Sequence, residues 1–214
     1  MKPDTLILAS KSPRRLEILQ RMGLHATVRA FETDETVDPA LELTPSQTVQ
    51  LLAERKARAA RDAIGGENAA GQGRCLIIAA DTVVALGDRI LGKPRDEADA
   101  FDMLRALSGT THRVLTGMAV CDAAGGAIAA DVSESTVRFR KLSDAEIRAY
   151  IATKEPMDKA GAYAIQQRGA LFAEHIEGDF FGIMGLSVST LDRLLRDHFA
   201  YDILAGNPHG ENRG

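Results

Sequence analysis

The chain has 214 residues, 45% apolar and 26% charged, with a net charge of −4. This is the balance of a folded soluble protein, either one domain or two small lobes with a substantial core. The acidic balance and the 5% aromatic content argue against nucleic-acid binding through the overall field, so any anion site must be local. The two cysteines, Cys75 and Cys121, both lie in apolar runs and read as buried reduced thiols. No Cys/His cluster suggests zinc. The apolar run Leu6 to Ala9 is too short for the core of a signal peptide, and no stretch approaches the roughly 18 apolar residues of a membrane span. A cytoplasmic enzyme or binding protein is expected.

Thr5 to Ala9 predicts a first strand. Ser10-Lys11-Ser12-Pro13-Arg14-Arg15 follows, and then an apolar periodicity through Leu16, Leu19 and Met22. Ser12 suits an N-cap, Pro13 the first helical position and Gly23 a C-terminal stop. Two hydroxyls and two arginines therefore stand where free helix N–H groups favour an anion. Arginine at this end opposes the helix dipole, which favours a phosphate ligand over two solvated surface cations. The glycine-rich Walker pattern is absent, so this is not a P-loop.

Arg29 to Leu43 is irregular and acidic, with Glu32, Asp34, Glu35, Asp38 and Glu42, and reads as a solvated loop. Thr44-Pro45-Ser46-Gln47 is a capping box opening a helix with Val49, Leu52, Ala53, Ala57 and Ala60 on one face. Lys56 lies on or beside that face and taken alone reads as a snorkelling surface lysine. Ile64 to Arg74 is Gly/Ala-rich and is expected to be a flexible loop.

Cys75 to Ala80 predicts a buried strand that Asp81 interrupts. A carboxylate in apolar surroundings is costly unless paired, hydrogen-bonded or metal-bound. Asp81 therefore either faces a ligand from a strand end or caps a turn with Thr82. Gly87-Asp88 is a hairpin turn, and Gly92-Lys93-Pro94 brings a cation close behind the acid. An acid and a lysine on neighbouring segments suit a metal and a phosphate.

Asp96 can cap a helix with core positions Phe101, Leu104 and Leu107, ended by Ser108-Gly109. Arg113 to Cys121 and Val132 to Arg140 predict two strands joined by a turn over Asp122 to Gly126. Ser143 to Glu146 is a second capping box, opening a helix through Ile147, Tyr150 and Ile151. Glu155 to Phe172 carries Asp158-Lys159, Gly161, Gln166 and Gly169. It reads as a tight loop and a short strand, or as a place where backbone approaches a ligand closely. A last helix is expected from about Leu186 to Phe199, followed by a disordered tail at 206–214.

Taken together, Ala9-Ser10-Lys11-Ser12-Pro13-Arg14-Arg15, Ala80-Asp81-Thr82-Val83, Gly92-Lys93-Pro94, Leu107-Ser108-Gly109 and Asp158-Lys159-Ala160-Gly161-Ala162-Tyr163 with Ile165-Gln166 resemble the Maf family of nucleoside triphosphate pyrophosphatases. The likeness runs from about Leu6 to about Leu195. It implies an α/β fold, similar to inosine triphosphatase, with two lobes around an extended mixed sheet and the active site in the cleft between them. On this reading residues 1–205 form a single domain of two lobes. The resemblance also implies a divalent-metal-dependent hydrolase, with magnesium, manganese or cobalt as the metal, that is commonly a homodimer.

By position, the resemblance makes Asp81 the catalytic acid, the proton acceptor for the attacking water. It makes Ser10, Arg14, Arg15, Lys56 and Lys93 the phosphate contacts, and Glu35 a second acid beside the metal with Asp81. Arg14, Thr82 and Gln166 stand at the family's three substrate-dividing positions, in a combination similar to the branch acting on dTTP and UTP. An amide at Gln166 can pair with the donor and acceptor edge of uracil or thymine. Ser187 stands where the family usually has proline, which is expected to loosen the start of the last helix. Ala164 stands where glycine is common.

The function implied is hydrolysis of dTTP, UTP or modified pyrimidine triphosphates to the monophosphate and pyrophosphate, in a house-cleaning role with a link to division arrest. No membrane or nucleic-acid partner is expected. The alternatives are a non-catalytic nucleotide-binding regulator of septum formation, a nucleic-acid-binding module, and a pyrophosphatase for non-standard purine triphosphates.

Overall fold

The computed structural model describes residues 4–65 and 73–204. The loop expected between Ile64 and Arg74 lies largely outside the described residues, and the tail at 206–214 lies wholly outside them. In chain order the elements are β1 (Thr5–Leu8), α1 (Pro13–Arg21), β2 (Ala26–Val28), α2 (Pro45–Ile64), β3 (Cys75–Leu86), β4 (Arg89–Leu91) and α3 (Glu97–Leu107). There follow β5 (Thr111–Asp122), β6 (Gly125–Phe139), α4 (Asp144–Ala152), β7 (Ala173–Glu177), α5 (Phe180–Met184) and α6 (Val188–Phe199).

The helix starts follow from their caps. Thr44 and Gln47 form a reciprocal capping box on α2, Ser143 and Glu146 form another on α4, and Asp96 accepts from the Asp99 N–H on α3. Helix α1 ends in a Schellman motif, with the Gly23 and Leu24 N–H groups donating to the Gln20 and Leu19 carbonyls. Its other end departs from expectation. The Ser12 side chain makes no capping bond; instead the Ser12 N–H donates to Ser10 Oγ at 3.1 Å.

The strands form one mixed sheet of order β2-β1-β3-β5-β6-β7, with β4 pairing with β3. β1 is parallel to both β2 and β3, and the other pairings are antiparallel. Asp81 does not end its strand, as the sequence suggested. β3 continues to Leu86 and pairs with β5 from Leu76 to Ala85. On its other side β1 covers only Cys75–Ile78 and β4 only Val84–Leu86, so residues 79–83 have a strand partner on the β5 side alone. Asp81 and Thr82 sit in this notch, beside the carboxyl end of β1, where open α/β sheets place their ligands.

Side chains alternate across a strand. Ile77, Ala79, Val83 and Ala85 pack on the side covered by α2. Leu76, Ile78, Ala80 and Val84 join the larger core built with α1, α3, α4 and α6. By the same alternation Asp81 faces α2 and Thr82 faces the larger core. α2 can lie this close because of Gly117, the β5 residue opposite Asp81. A Cβ there would stand 2.3 Å from the Val49 carbonyl oxygen.

Four features differ from the sequence reading. β2 and β7 lie at the two edges of the sheet and α5 is a helix of five residues; none of the three carries a periodic apolar signal. β6 starts at Gly125, seven residues before its apolar alternation sets in at Val132. The segment from Glu155 to Phe172 contains no strand. It is a run of tight 3-10 turns, in which Gly161 at φ 67° donates to the Gly92 carbonyl at 3.0 Å and lies against Val84. Finally, Ser187 does not loosen the last helix: it is fully buried and caps α6, accepting from the Thr190 N–H at 3.1 Å.

His112 on β5 is buried among Phe139 and Tyr163, with Nε2 2.9 Å from the Tyr163 hydroxyl. Burial pushes its imidazole down to about 4. In the unfolded chain a histidine titrates near 6.5, so between those values the unfolded state binds a proton that the native state does not. Stability therefore falls as pH drops through this window and levels off below it, by at most about 3 kcal/mol from this group. Urea unfolding at about pH 7 and about pH 4.5 should show a smaller loss for His112→Gln than for the parent. Equal losses would remove His112 from that role.

Candidate active site

A cavity of about 1060 Å³ opens at the notch. Its walls are the β1–α1 loop, the acidic loop around Glu35, α2, β3, the turn after β4 and the segment from Asp158 to Gln166. All nine residues singled out from the sequence line it: Ser10, Arg14, Arg15, Glu35, Lys56, Asp81, Thr82, Lys93 and Gln166.

At its centre the Lys56 ammonium donates to Asp81 Oδ1 at 2.5 Å and pairs with Glu35 Oε1 at 2.8 Å. Lys56 is thus no snorkelling surface lysine, since its side chain is only 16% exposed. It lies seven residues, about two helical turns, beyond Val49 on the face of α2 that Gly117 admits to the sheet. The hydrogen bond from Lys56 holds the Glu35 carboxyl below its usual range, against the opposing effect of burial, and Lys93 and Arg15 act in the same direction as Lys56. Because Lys56 occupies Oδ1 of Asp81, Oδ2 is the oxygen left to accept a proton.

A second group of contacts centres on Arg15. Its Nε–H donates to the Gly185 carbonyl at 2.7 Å, Nη1 to Ser10 Oγ at 3.1 Å and Nη2 to Thr82 Oγ1 at 3.2 Å. Burial pulls this guanidinium below its ordinary value, and Asp81 is the largest influence opposing that pull. Ser10 Oγ accepts both from Arg15 and from the Ser12 N–H. Its own hydroxyl hydrogen is therefore left for the cavity.

Across the cleft, Arg14 Nη1 lies 3.7 Å from Asp158 Oδ2, and Asp158 also pairs with the next residue along the chain, Lys159. Burial alone would raise the Asp158 carboxyl, but the hydrogen bond from Lys159 keeps it below its ordinary value. Asp158 and Lys159 were visible in the sequence as an acid and a lysine in a glycine-rich stretch and as part of a family motif, without a role of their own. Thr116, fully buried on β5 and bonded to Thr82 at 2.9 Å, gave no signal at all beyond its place in a strand.

A family model described as Maf-like protein matches residues 5–198. The chain belongs to the Maf family. Among curated members, a dTTP/UTP pyrophosphatase of Alkaliphilus oremlandii is 43% identical over 199 residues, covering 93% of this chain and 98% of that protein. The dTTP/UTP pyrophosphatase of Moorella thermoacetica is 46% identical over 190 residues, covering 89% and 93%. That of a Geobacillus species is 47% identical over 184 residues, covering 86% and 92%. The mixed sheet with helices on both faces agrees with the Maf fold. Of the two departures from the Maf pattern, Ser187 acts as a helix cap, and Ala164 is buried with its N–H donating to the Tyr150 hydroxyl at 3.2 Å.

The donor chemistry of this Maf cleft fits a divalent cation. Asp81 and Glu35 already converge on one positive centre, the Lys56 ammonium, and offer only hard carboxylate oxygens. Among the described residues no group of three or more His, Cys, Asp and Glu side chains comes together. Two carboxylates supplemented by substrate phosphates and water are a usual ligand set for magnesium. No helix among the described residues is long and apolar enough to cross a membrane.

Proposed function

We propose that this Maf chain hydrolyses dTTP and UTP to the monophosphate and pyrophosphate at the cleft around Asp81. The observation that carries the reading is the placement of Asp81, held by Lys56, in one cavity with Ser10, Arg14, Arg15 and Lys93. Asp81 Oδ2 accepts the proton of a water whose oxygen attacks the α-phosphorus. The bond from that phosphorus to the α–β bridging oxygen breaks, and pyrophosphate leaves with the electron pair. The Ser10 hydroxyl, the two uncommitted N–H groups of Arg15, and the Arg14 and Lys93 cations hold the phosphate chain in line and offset its charge. A divalent ion, magnesium in this proposal, would be held by Asp81 and Glu35 and would neutralise phosphate charge.

Gln166 reads the base. Its amide offers both a donor and an acceptor to the edge of uracil or thymine, and a site built for such pairing rejects a base that leaves its polar groups unmatched. Gln166→Glu replaces the donor by a second acceptor. The ratio of kcat/KM for dTTP over CTP should then fall roughly tenfold or more, and an unchanged ratio would remove Gln166 from base reading. We further propose that the two lobes flanking the cleft act as a single domain over residues 1–205, and that the protein works in the cytoplasm as a homodimer.

The experiment for the activity is pyrophosphate release from a panel of standard and modified nucleoside triphosphates, with and without magnesium. Magnesium-dependent turnover strongest for dTTP and UTP is expected. Preferential turnover of non-standard purine triphosphates would overturn the substrate class. Tight triphosphate binding without pyrophosphate release would make the chain a nucleotide-binding regulator instead.

A further inference from the structure

Thr116 lies outside the cavity lining, yet its hydroxyl is one hydrogen bond removed from a residue that lines it. Thr116 is fully buried on β5, directly across the ladder from Thr82. Its Oγ1 stands 2.8 Å from the Gly182 carbonyl oxygen and 2.9 Å from Thr82 Oγ1. A carbonyl only accepts, so the Thr116 hydrogen goes to Gly182. The hydrogen between the two threonines must then come from Thr82. Thr82 in turn accepts from Arg15 Nη2 at 3.2 Å, since a guanidinium only donates.

The direction of every bond in the relay is therefore fixed, running from Arg15 to Thr82 to Thr116 to Gly182. The ring closes through α5, because Gly185, at the end of that helix, accepts from Arg15 Nε at 2.7 Å. With Ser10 on Nη1, three of the five guanidinium N–H donors are spent on holding Arg15 in place, and the remaining two are available to the cavity.

We propose that Thr116 is a positioning residue for substrate binding, acting through Thr82 on Arg15. This rests on the reading of the cleft as a triphosphate site. One consequence concerns Thr82. Its only hydrogen is committed to Thr116, so it has none to give to a substrate, and it bears on substrate choice as an acceptor or through the placement of Arg15. A hydroxyl serving only to satisfy the core would make a different prediction: its loss would cost stability and leave substrate affinity alone.

Thr116→Val keeps the shape of the side chain and removes both its donor and its acceptor. Thr116→Ser keeps the hydroxyl. For parent and variants the measurements are kcat and KM for dTTP, the Kd of the non-hydrolysable α,β-imido analogue of dUTP, and the thermal unfolding midpoint. Thr116→Val should raise KM and Kd about 5- to 30-fold, the loss expected when buried polar groups are left unpaired, while kcat changes less than about threefold. Thr116→Ser should return both constants to within about threefold of the parent. In an Arg15→Lys background, where the guanidinium end of the relay is gone, Thr116→Val should add nothing further to KM.

A Thr116→Val protein with a lowered midpoint but parental KM and Kd would overturn the proposal. So would full additivity with Arg15→Lys. Should Thr116→Val fail to fold, Thr116→Cys, a weak donor of similar size, must raise Kd in the same direction, and a parental Kd there overturns the proposal equally. A parent that turns over dTTP normally confines any such failure to the relay. A parent that neither binds nor hydrolyses triphosphates overturns the functional reading and this inference with it.

Discussion

Asp81→Asn should lower kcat for dTTP by about 10² to 10⁴, the range attributed to a positioned general base, while leaving the protein folded. The amide matches the carboxylate in shape but cannot accept the water's proton at neutral pH. Folding should survive because Lys56 keeps its pairing with Glu35 at 2.8 Å and is not left as a buried unpaired charge. At saturating magnesium KM should change far less than kcat, since the Ser10, Arg15 and Lys93 contacts are untouched. Steady-state kinetics on the folded variant decide the matter. A parental kcat would show that another group takes the proton.

The second large effect is expected at an uncharged residue, the glycine across the ladder from Asp81. Gly117→Ala places a methyl group 2.3 Å from the Val49 carbonyl oxygen and 2.7 Å from Val49 Cγ2. Both are well inside contact distance, and the obstructing atoms include backbone that a rotamer change cannot move. α2 must shift outward, at a cost of about 1 to 3 kcal/mol by the usual measure of overpacked cores. The same shift carries Lys56 away from Asp81, so kcat should fall in the molecules that remain folded. Urea unfolding combined with kcat on the folded fraction tests both halves. Unchanged stability would mean that α2 gives way more easily than its packing implies.

Gly117 also illustrates what the sequence could and could not disclose. The caps at Thr44, Asp96 and Ser143 and the apolar face of α2 were legible because each depends on residues a few positions apart. The edge strands β2 and β7 were not, because half-exposed segments of three and five residues carry no usable alternation. Lys56 reads as a surface lysine in its own helix. Its position between Glu35 and Asp81 depends on a glycine on a different element, more than 60 residues further along.

The site residues were therefore recognisable as a set through the family motifs, whereas their geometry was not. Nothing in Ser10-Lys11-Ser12 says that Ser12 leaves α1 uncapped and that its N–H goes to Ser10 instead. Nothing in Asp81-Thr82 says that the strand continues past the acid, or that the Thr82 hydroxyl points its hydrogen at Thr116. Those facts depend on which neighbours β3 has along its length, and on the turn at Gly182 to Gly185 reaching back to the sheet.

The most direct test of the account is hydrolysis of dTTP by the parent protein in ¹⁸O-labelled water, with the products weighed by mass spectrometry. Attack at the α-phosphorus predicts one ¹⁸O in thymidine monophosphate and none in pyrophosphate. Label in the pyrophosphate, or release of orthophosphate in its place, would contradict it.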